Sequence, residues 1–389
     1  MPTAFNVRAL VSTVRVELDD TLSEEERESI RSQWVDLLVD GSDAPAMTIR
    51  ASVDETARSV KTLDERTIRA LSADDIADDI TSEVTLTAIK GLSGEALMLH
   101  AAAVALDDGR VIGFIGPSGR GKTTASHALS NAHLYVTDET LAVRADGTVV
   151  PFPKPLSIGQ RPGRKQHTPA SALGLRPAPS DGLRLAALVL LDRHPGIDRP
   201  YVESVPLTEA LPELVSQSSY LSQLDRPLRV LAQTVVATGG VRRMVYSEAE
   251  TLHTLIDDIL STVDEEAPLL TDVASTFKRD CDCYKDLLPG ASLVGDAPDQ
   301  EARPGTYRRT NATDALLVDD GLLVMTPREV TVLEGVGPVV WLAADDSTEE
   351  DLRDAALRQL PEPPEGIDPT QVIAAAIQQL VSAQLLAQR

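Results

Sequence analysis

The first clear periodicity along the chain is an alternation, Val11-Ser-Thr-Val-Arg-Val-Glu-Leu, which predicts a strand with one buried face. Ser23-Glu-Glu-Glu then sets a capping hydroxyl ahead of an acidic first turn, and Trp34, Leu37 and Leu38 extend the apolar stripe of the helix this predicts. From Ile80 the positions Ile80, Val84, Leu86, Ile89 and Leu92 recur at helical spacing and lead into a strand-like run over 97–106. Asp107-Asp-Gly-Arg supplies a hairpin turn before a second strand, Val111-Ile-Gly-Phe-Ile. Leu185-Ala-Ala-Leu-Val-Leu-Leu is an unbroken apolar run bounded by charge, the pattern of a strand buried on both faces. Helices are expected from Leu207 and over 252–260. Periodicity lapses between about 265 and 312, where Pro, Gly, Asp and Arg accumulate. Three short alternating strands come next, 315–318, 322–325 and 330–333. The chain then predicts helices over 339–344, over 348–360 behind a Ser347 or Thr348 cap, and over 369–386 with Pro369 near the first helical position.

These patterns divide the 389 residues into an N-terminal α/β cap (1–79), a central α/β domain (80–264), a linker (265–312) and a small C-terminal domain (313–389). Charge narrows the choice of partners. Sixty Asp and Glu against 36 Lys and Arg leave a net charge of -24, a field that repels phosphate backbones and anionic lipid, so neither nucleic acid nor membrane is an expected partner. No apolar run approaches the ~20 residues of a membrane span, and the start lacks a basic region followed by an apolar stretch. A cytoplasmic protein is expected. Its two cysteines, Cys281 and Cys283, lack the further Cys or His that a structural zinc site needs and read as reduced thiols. Monomer and oligomer are both compatible with the sequence.

The stretch that carries chemistry is Gly116-Pro-Ser-Gly-Arg-Gly-Lys-Thr-Thr, a G-x-x-x-x-G-K-[ST] loop with an apolar strand before it and a helix after it. Glycines at 116, 119 and 121 let backbone N–H groups, with those of Ser118 and Thr124, close around a phosphate. Lys122 would neutralise the β- and γ-phosphates of ATP or a related nucleotide, and Thr123 would hold Mg²⁺. Asp138 and Glu139 end a short apolar strand further on; one carboxylate would bind Mg²⁺ and the other would take a proton from an attacking hydroxyl. A solvated acidic turn is the alternative for this pair.

Four landmarks, His100, the glycine-rich loop, Asp138-Glu139 and Val150-Pro-Phe-Pro-Lys-Pro-Leu-Ser, resemble the catalytic domain of HPr kinase/phosphorylase and its relatives, a P-loop fold of the PEP-carboxykinase-like kind. The resemblance implies that His100 lies near the transferred phosphate and that Asp138 is the metal-binding or basic carboxylate. Glu139 stands where that family has a second Asp. Arg161, Arg164 and Lys165 form a basic island that would bind substrate or be a solvated loop. His100 also has a plain reading as a satisfied core histidine.

Leu333-Glu-Gly-Val-Gly-Pro-Val-Val-Trp, Thr348-Glu-Glu-Asp-Leu and the run from Val372 to Leu386 resemble the PqqD-like peptide-recognition module, a small winged-helix arrangement. The resemblance implies that a leader peptide adds as a strand beside Val330, Val332 and Leu333 and packs against Ile373, Ile377 and Leu380. Joined, the two resemblances imply a protein of ribosomal peptide natural product biosynthesis. It would capture a precursor and phosphorylate a Ser or Thr hydroxyl with ATP and Mg²⁺, acting alongside tailoring enzymes of the same pathway. The rival expectation is a non-catalytic recognition or scaffold protein, for example of the daptide sort, that delivers the precursor to those enzymes. A metabolite kinase would leave the peptide module idle, and a purely structural role for that module also stands.

Overall fold

The computed structural model describes residues 3–41, 44–54, 60–61, 65–117, 119–161, 164–261, 267–273, 303–310, 312–319, 321–326, 329–361, 364 and 366–389. Over these residues the chain is a mixed α/β protein with several sheets. Ser118, Cys281 and Cys283 lie outside the described residues. So do the side chains of Arg161, Arg164 and Lys165, whose backbones pair in a hairpin of Leu156–Arg161 with Arg164–Thr168. Among the described residues no helix is long and apolar enough to cross a membrane. Chain contacts define two compact units, one drawn from Met1–Pro206, Gln217–Asp225 and Thr234–Asp264, the other from Leu207–Ser216, Arg226–Gln233 and Glu265–Arg389.

In the first unit the opening alternation becomes the strand Ser12–Leu18, with Val14, Val16 and Leu18 on the buried side. It sits in a six-stranded sheet ordered Leu38–Val39, Thr3–Ala9, Ser12–Leu18, Met47–Val53, Glu65–Ala70, Val60–Lys61. Ser23 and Glu26 form a capping box at the helix Glu24–Ser32. That helix stops short of the expected stripe: Trp34, fully buried, comes after it and caps a short 3-10 turn, Val35–Leu37, that holds Leu37. The long helix Ala73–Gly91 buries Ile76, Ile80, Val84 and Ala88 at helical spacing. Its core extends to Met98, Ala142 and Phe152, so the N-terminal segment and the larger sheet share one continuous core.

The larger sheet is ordered Val149–Val150, Thr140–Arg144, Ala96–Ala105, Arg110–Ile115, Arg184–Arg193, Val241–Tyr246, Tyr201–Val205, with Leu134–Thr137 also pairing to Ala96–Ala105. Asp108-Gly109 makes the expected hairpin turn, with Gly109 at φ 87°. Arg110–Ile115, Arg184–Arg193 and Val241–Tyr246 run parallel, and the central one is buried over Ala187–Leu191 as its unbroken apolar run requires. The helix expected over 252–260 begins as a 3-10 segment, Ala249–Leu255, and turns α-helical at Ile256–Leu260.

In the second unit Leu270–Asp272, Asp314–Val318, Gly321–Met325 and Val330–Leu333 form an antiparallel sheet in that order. Three helices, Gly337–Ala343, Glu349–Gln359 and Pro369–Ser382, close over it around Trp341, Leu352 and Ile377. Thr348 and Asp351 form a capping box at the second helix. The last helix ends at Ser382, and Leu386–Gln388 leaves it to pair with Thr306–Arg309. Two strands, Leu270–Asp272 and Thr306–Arg309, therefore fall within the segment 265–312 that sequence periodicity predicts as a linker. Their ladder partners are remote in sequence, which local patterning cannot register.

Candidate functional site

Strand register brings the candidate residues of the first unit together. Ile115, the last residue before the glycine-rich loop, pairs with Ala101; Thr140 pairs with His100, and Ala103 with Thr137. Asp138 and Glu139 form the turn between the strands Leu134–Thr137 and Thr140–Arg144, so this turn, His100 and the loop meet at one end of the sheet. That end lies at the carboxyl termini of the parallel strands, where open α/β sheets form a crevice.

The loop's shape comes from its glycines. Gly119 and Gly121 hold φ of 82° and 89°, a region other residues enter only at a steric penalty. Gly121 caps the helix Lys122–Ser130 by accepting from the Ala125 N–H at 2.8 Å, which leaves the first helical amides without an intrahelical acceptor. Beneath the loop the Tyr246 hydroxyl donates to the Arg120 carbonyl at 3.3 Å. Thr124 is exposed on the first turn.

Lys122 is buried, and its Nζ donates to the carbonyls of Gly116 at 2.7 Å and Pro117 at 3.3 Å. Burial pushes its pKa down, opposed by the charges of Glu139 and Asp138. Thr123 Oγ1 donates to Asp138 Oδ2 at 3.2 Å, so the hydroxyl and the carboxylate share one small space at the helix start. The other oxygen, Oδ1, accepts from the Tyr135 hydroxyl at 3.1 Å. Burial, then the Asp138 charge, holds the Tyr135 pKa well above its ordinary value and keeps it a donor.

Lys154, which sequence reasoning did not flag as a site residue, completes the cluster. It is 3% exposed, and its Nζ lies 2.8 Å from Glu139 Oε2 and 3.5 Å from Asp138 Oδ1. Burial pulls its pKa down, but the two carboxylates more than offset this and the net shift is upward. Alternating prolines at 151, 153 and 155 fix the backbone of this strap, and the Phe152 N–H donates to the Val136 carbonyl at 3.0 Å. The signal was in the sequence, since a lone Lys between prolines in an apolar stretch has little reason to face solvent.

Asp192 was also passed over. It ends the apolar run of Arg184–Arg193 on the strand beside the loop, with Arg120 at 3.6 Å and His194 at 3.0 Å. A carboxylate closing an apolar strand is the pattern that would have found it.

His100 is half-buried. Burial, then the Lys122 charge, pushes its pKa below 6.5, against the opposing pull of Glu139 and Asp138. The unfolded chain therefore binds more protons than the folded one between His100's folded-state pKa and 6.5, and stability falls as pH drops through that window. His133, lowered chiefly by burial, adds in the same sense. An NMR titration should place His100 below 6.5, and His100→Gln should flatten the fall of the melting temperature below that pH; a His100 pKa above 6.5 contradicts this assignment.

In the second unit Val330, Thr331 and Val332 are half-buried, and their strand is the outermost of its sheet. Leu333, Ile373, Ile377 and Leu380 are buried in the core around Trp341. Ile373 also lines, together with the exposed Val372, a cavity of about 370 Å³ shared with Val336, Leu357, Leu360 and Ile367. The chain's own helix Leu207–Ser216 packs against Val330–Leu333.

Among the described residues no group of three or more His, Cys, Asp or Glu comes together as a metal cage. No protein-family model matches the chain, and no curated protein matches it.

Proposed function

We propose that the first unit is a P-loop nucleotide site that transfers the γ-phosphoryl group of ATP to a Ser or Thr hydroxyl of a peptide. One observation carries this reading: Lys122, Thr123 and Asp138 meet at the start of a glycine-capped helix, with Thr123 Oγ1 and Asp138 Oδ2 3.2 Å apart. The amides of the first helical turn supply an anion cradle, and Lys122 turns from the loop's carbonyls to the phosphates. Two hard oxygens at this spacing suit Mg²⁺, which demands oxygen ligands and shares them with substrate phosphates. Bound there, Mg²⁺ would offset charge on the transferring group.

In the transfer, the substrate hydroxyl oxygen bonds to the γ-phosphorus as the bond to the β–γ bridging oxygen breaks, leaving ADP. The hydroxyl proton goes to a base. Glu139 pairs with Lys154, which supports His100, whose burial favours the neutral acceptor form, in that role.

The second unit supports a peptide-docking role. An outer strand at Val330–Leu333 offers backbone groups for strand addition, and the neighbouring apolar cavity accepts a side chain. Helix Leu207–Ser216 shares that strand, so a docked leader peptide lies beside it or displaces it. Tethering raises the local concentration of the precursor at the nucleotide site.

Incubating the protein with ATP, Mg²⁺ and a precursor peptide encoded nearby should add a phosphate mass to a Ser or Thr fragment. Leader binding without any phosphate increment would leave the second reading, a non-catalytic recognition protein that hands the precursor to tailoring enzymes. The ion pair that ties up Glu139 favours that reading.

A further inference from the structure

The two oxygens of Asp138 face different partners: Oδ2 takes the Thr123 hydroxyl at 3.2 Å, on the loop side, whereas Oδ1 takes Tyr135 of the strand Leu134–Thr137 at 3.1 Å and Lys154 of the proline strap at 3.5 Å. Lys154 also holds Glu139 at 2.8 Å, so one buried ammonium serves both carboxylates. A buried charge left without its partner is strongly destabilising, which keeps this arrangement together. A free divalent cation bridging Asp138 and Glu139 would sit beside that ammonium in a poorly screened interior, where like charges repel strongly.

We propose that Lys154 is a built-in counter-ion that reserves Glu139 and bars divalent metal from the acidic pair until a nucleotide arrives, so that the metal enters only with the polyphosphate. The polyphosphate's own negative charge then offsets the repulsion from Lys154, and Thr123 with Oδ2 of Asp138 faces the cation from the loop side. Lys154 is thus a positioning residue. The order of arrival rests on the nucleotide reading above, whereas the exclusion of free metal does not.

Manganese binding, monitored by electron paramagnetic resonance of the unbound ion in titrations of the full chain, separates these statements. Wild-type protein without nucleotide should show no Mn²⁺ uptake that Asp138→Asn removes, and such uptake should appear once ATP is added. Lys154→Met should gain an Asp138-dependent Mn²⁺ site without nucleotide, tighter by about tenfold or more than any in the wild type. Lys154→Arg, which keeps the cation, should behave as wild type and serves if the Met variant does not fold. Asp138-dependent Mn²⁺ uptake by the nucleotide-free wild type, or none gained by a folded Lys154→Met, overturns the role of Lys154. Failure of ATP to bind at all, with the metal-alone results as expected, instead sinks the nucleotide reading and leaves Lys154 as a metal-excluding counter-ion.

Discussion

Lys122→Ala is expected to lower the proposed phosphoryl transfer by about 10²- to 10³-fold, the usual consequence of removing one preorganised donor to developing charge. ATP affinity should fall with it, because a buried, hydrogen-bonded charge is worth about 2–5 kcal/mol when its partner is a charge. The size of the effect reflects the side chain's surroundings. Lys122 is 7% exposed, and its Nζ donates to the loop carbonyls of Gly116 and Pro117. Exchanging those neutral acceptors for phosphate oxygens gives a larger electrostatic gain than an exposed lysine would. The fold should tolerate the change, since both carbonyls lie in a loop that water can reach once the side chain is gone. A folded Lys122→Ala protein with unchanged ATP affinity would show that the loop is not a phosphate site.

Trp341→Ala should be the most destabilising single change in the second unit. Trp341 is fully buried among Tyr307, Leu322, Val324, Leu352 and Ile377, and the Arg309 guanidinium stacks 5.5 Å from its ring centroid. Truncating a buried Trp costs about 3–5 kcal/mol, because transfer free energy and the remaining cavity add. Loss of the cation–π contact adds about 0.5–1 kcal/mol. The thermal transition of this unit should fall by on the order of 10 °C, as calorimetry of the full chain would measure. ATP affinity should hold, since the proposed nucleotide site is built from residues of the other unit. A shift of only a degree or two would mean that this core does not pack around the indole.

Short-range chemistry determines the features that could be read from the sequence. Capping pairs such as Ser23 with Glu26 announce a helix start within four residues, and the glycine pattern at 116–121 fixes a loop whose flanking strand and helix are its neighbours in sequence. The strands Gly321–Met325 and Val330–Leu333 were legible because their apolar runs are bounded by turn residues. Lys154 and Tyr135 were missed as site residues because their roles depend on where the strap after Val149–Val150 crosses the strand Leu134–Thr137, a matter of sheet register. Thr306–Arg309 and Leu386–Gln388 escaped notice for the same reason, each being a ribbon whose partner lies far along the chain. Ile373, Ile377 and Leu380 follow the core-facing stripe that a helical period picks out, and the exposed apolar Val372 falls outside it.

The most direct test of the proposed nucleotide site is calorimetric titration of ATP with Mg²⁺ into the full chain. One nucleotide per chain, saturating at a concentration between about 1 μM and 1 mM as substrates of enzymes usually do, and lost in Lys122→Ala, is the predicted result. No heat of binding at millimolar ATP, in a protein shown to be folded, would contradict it.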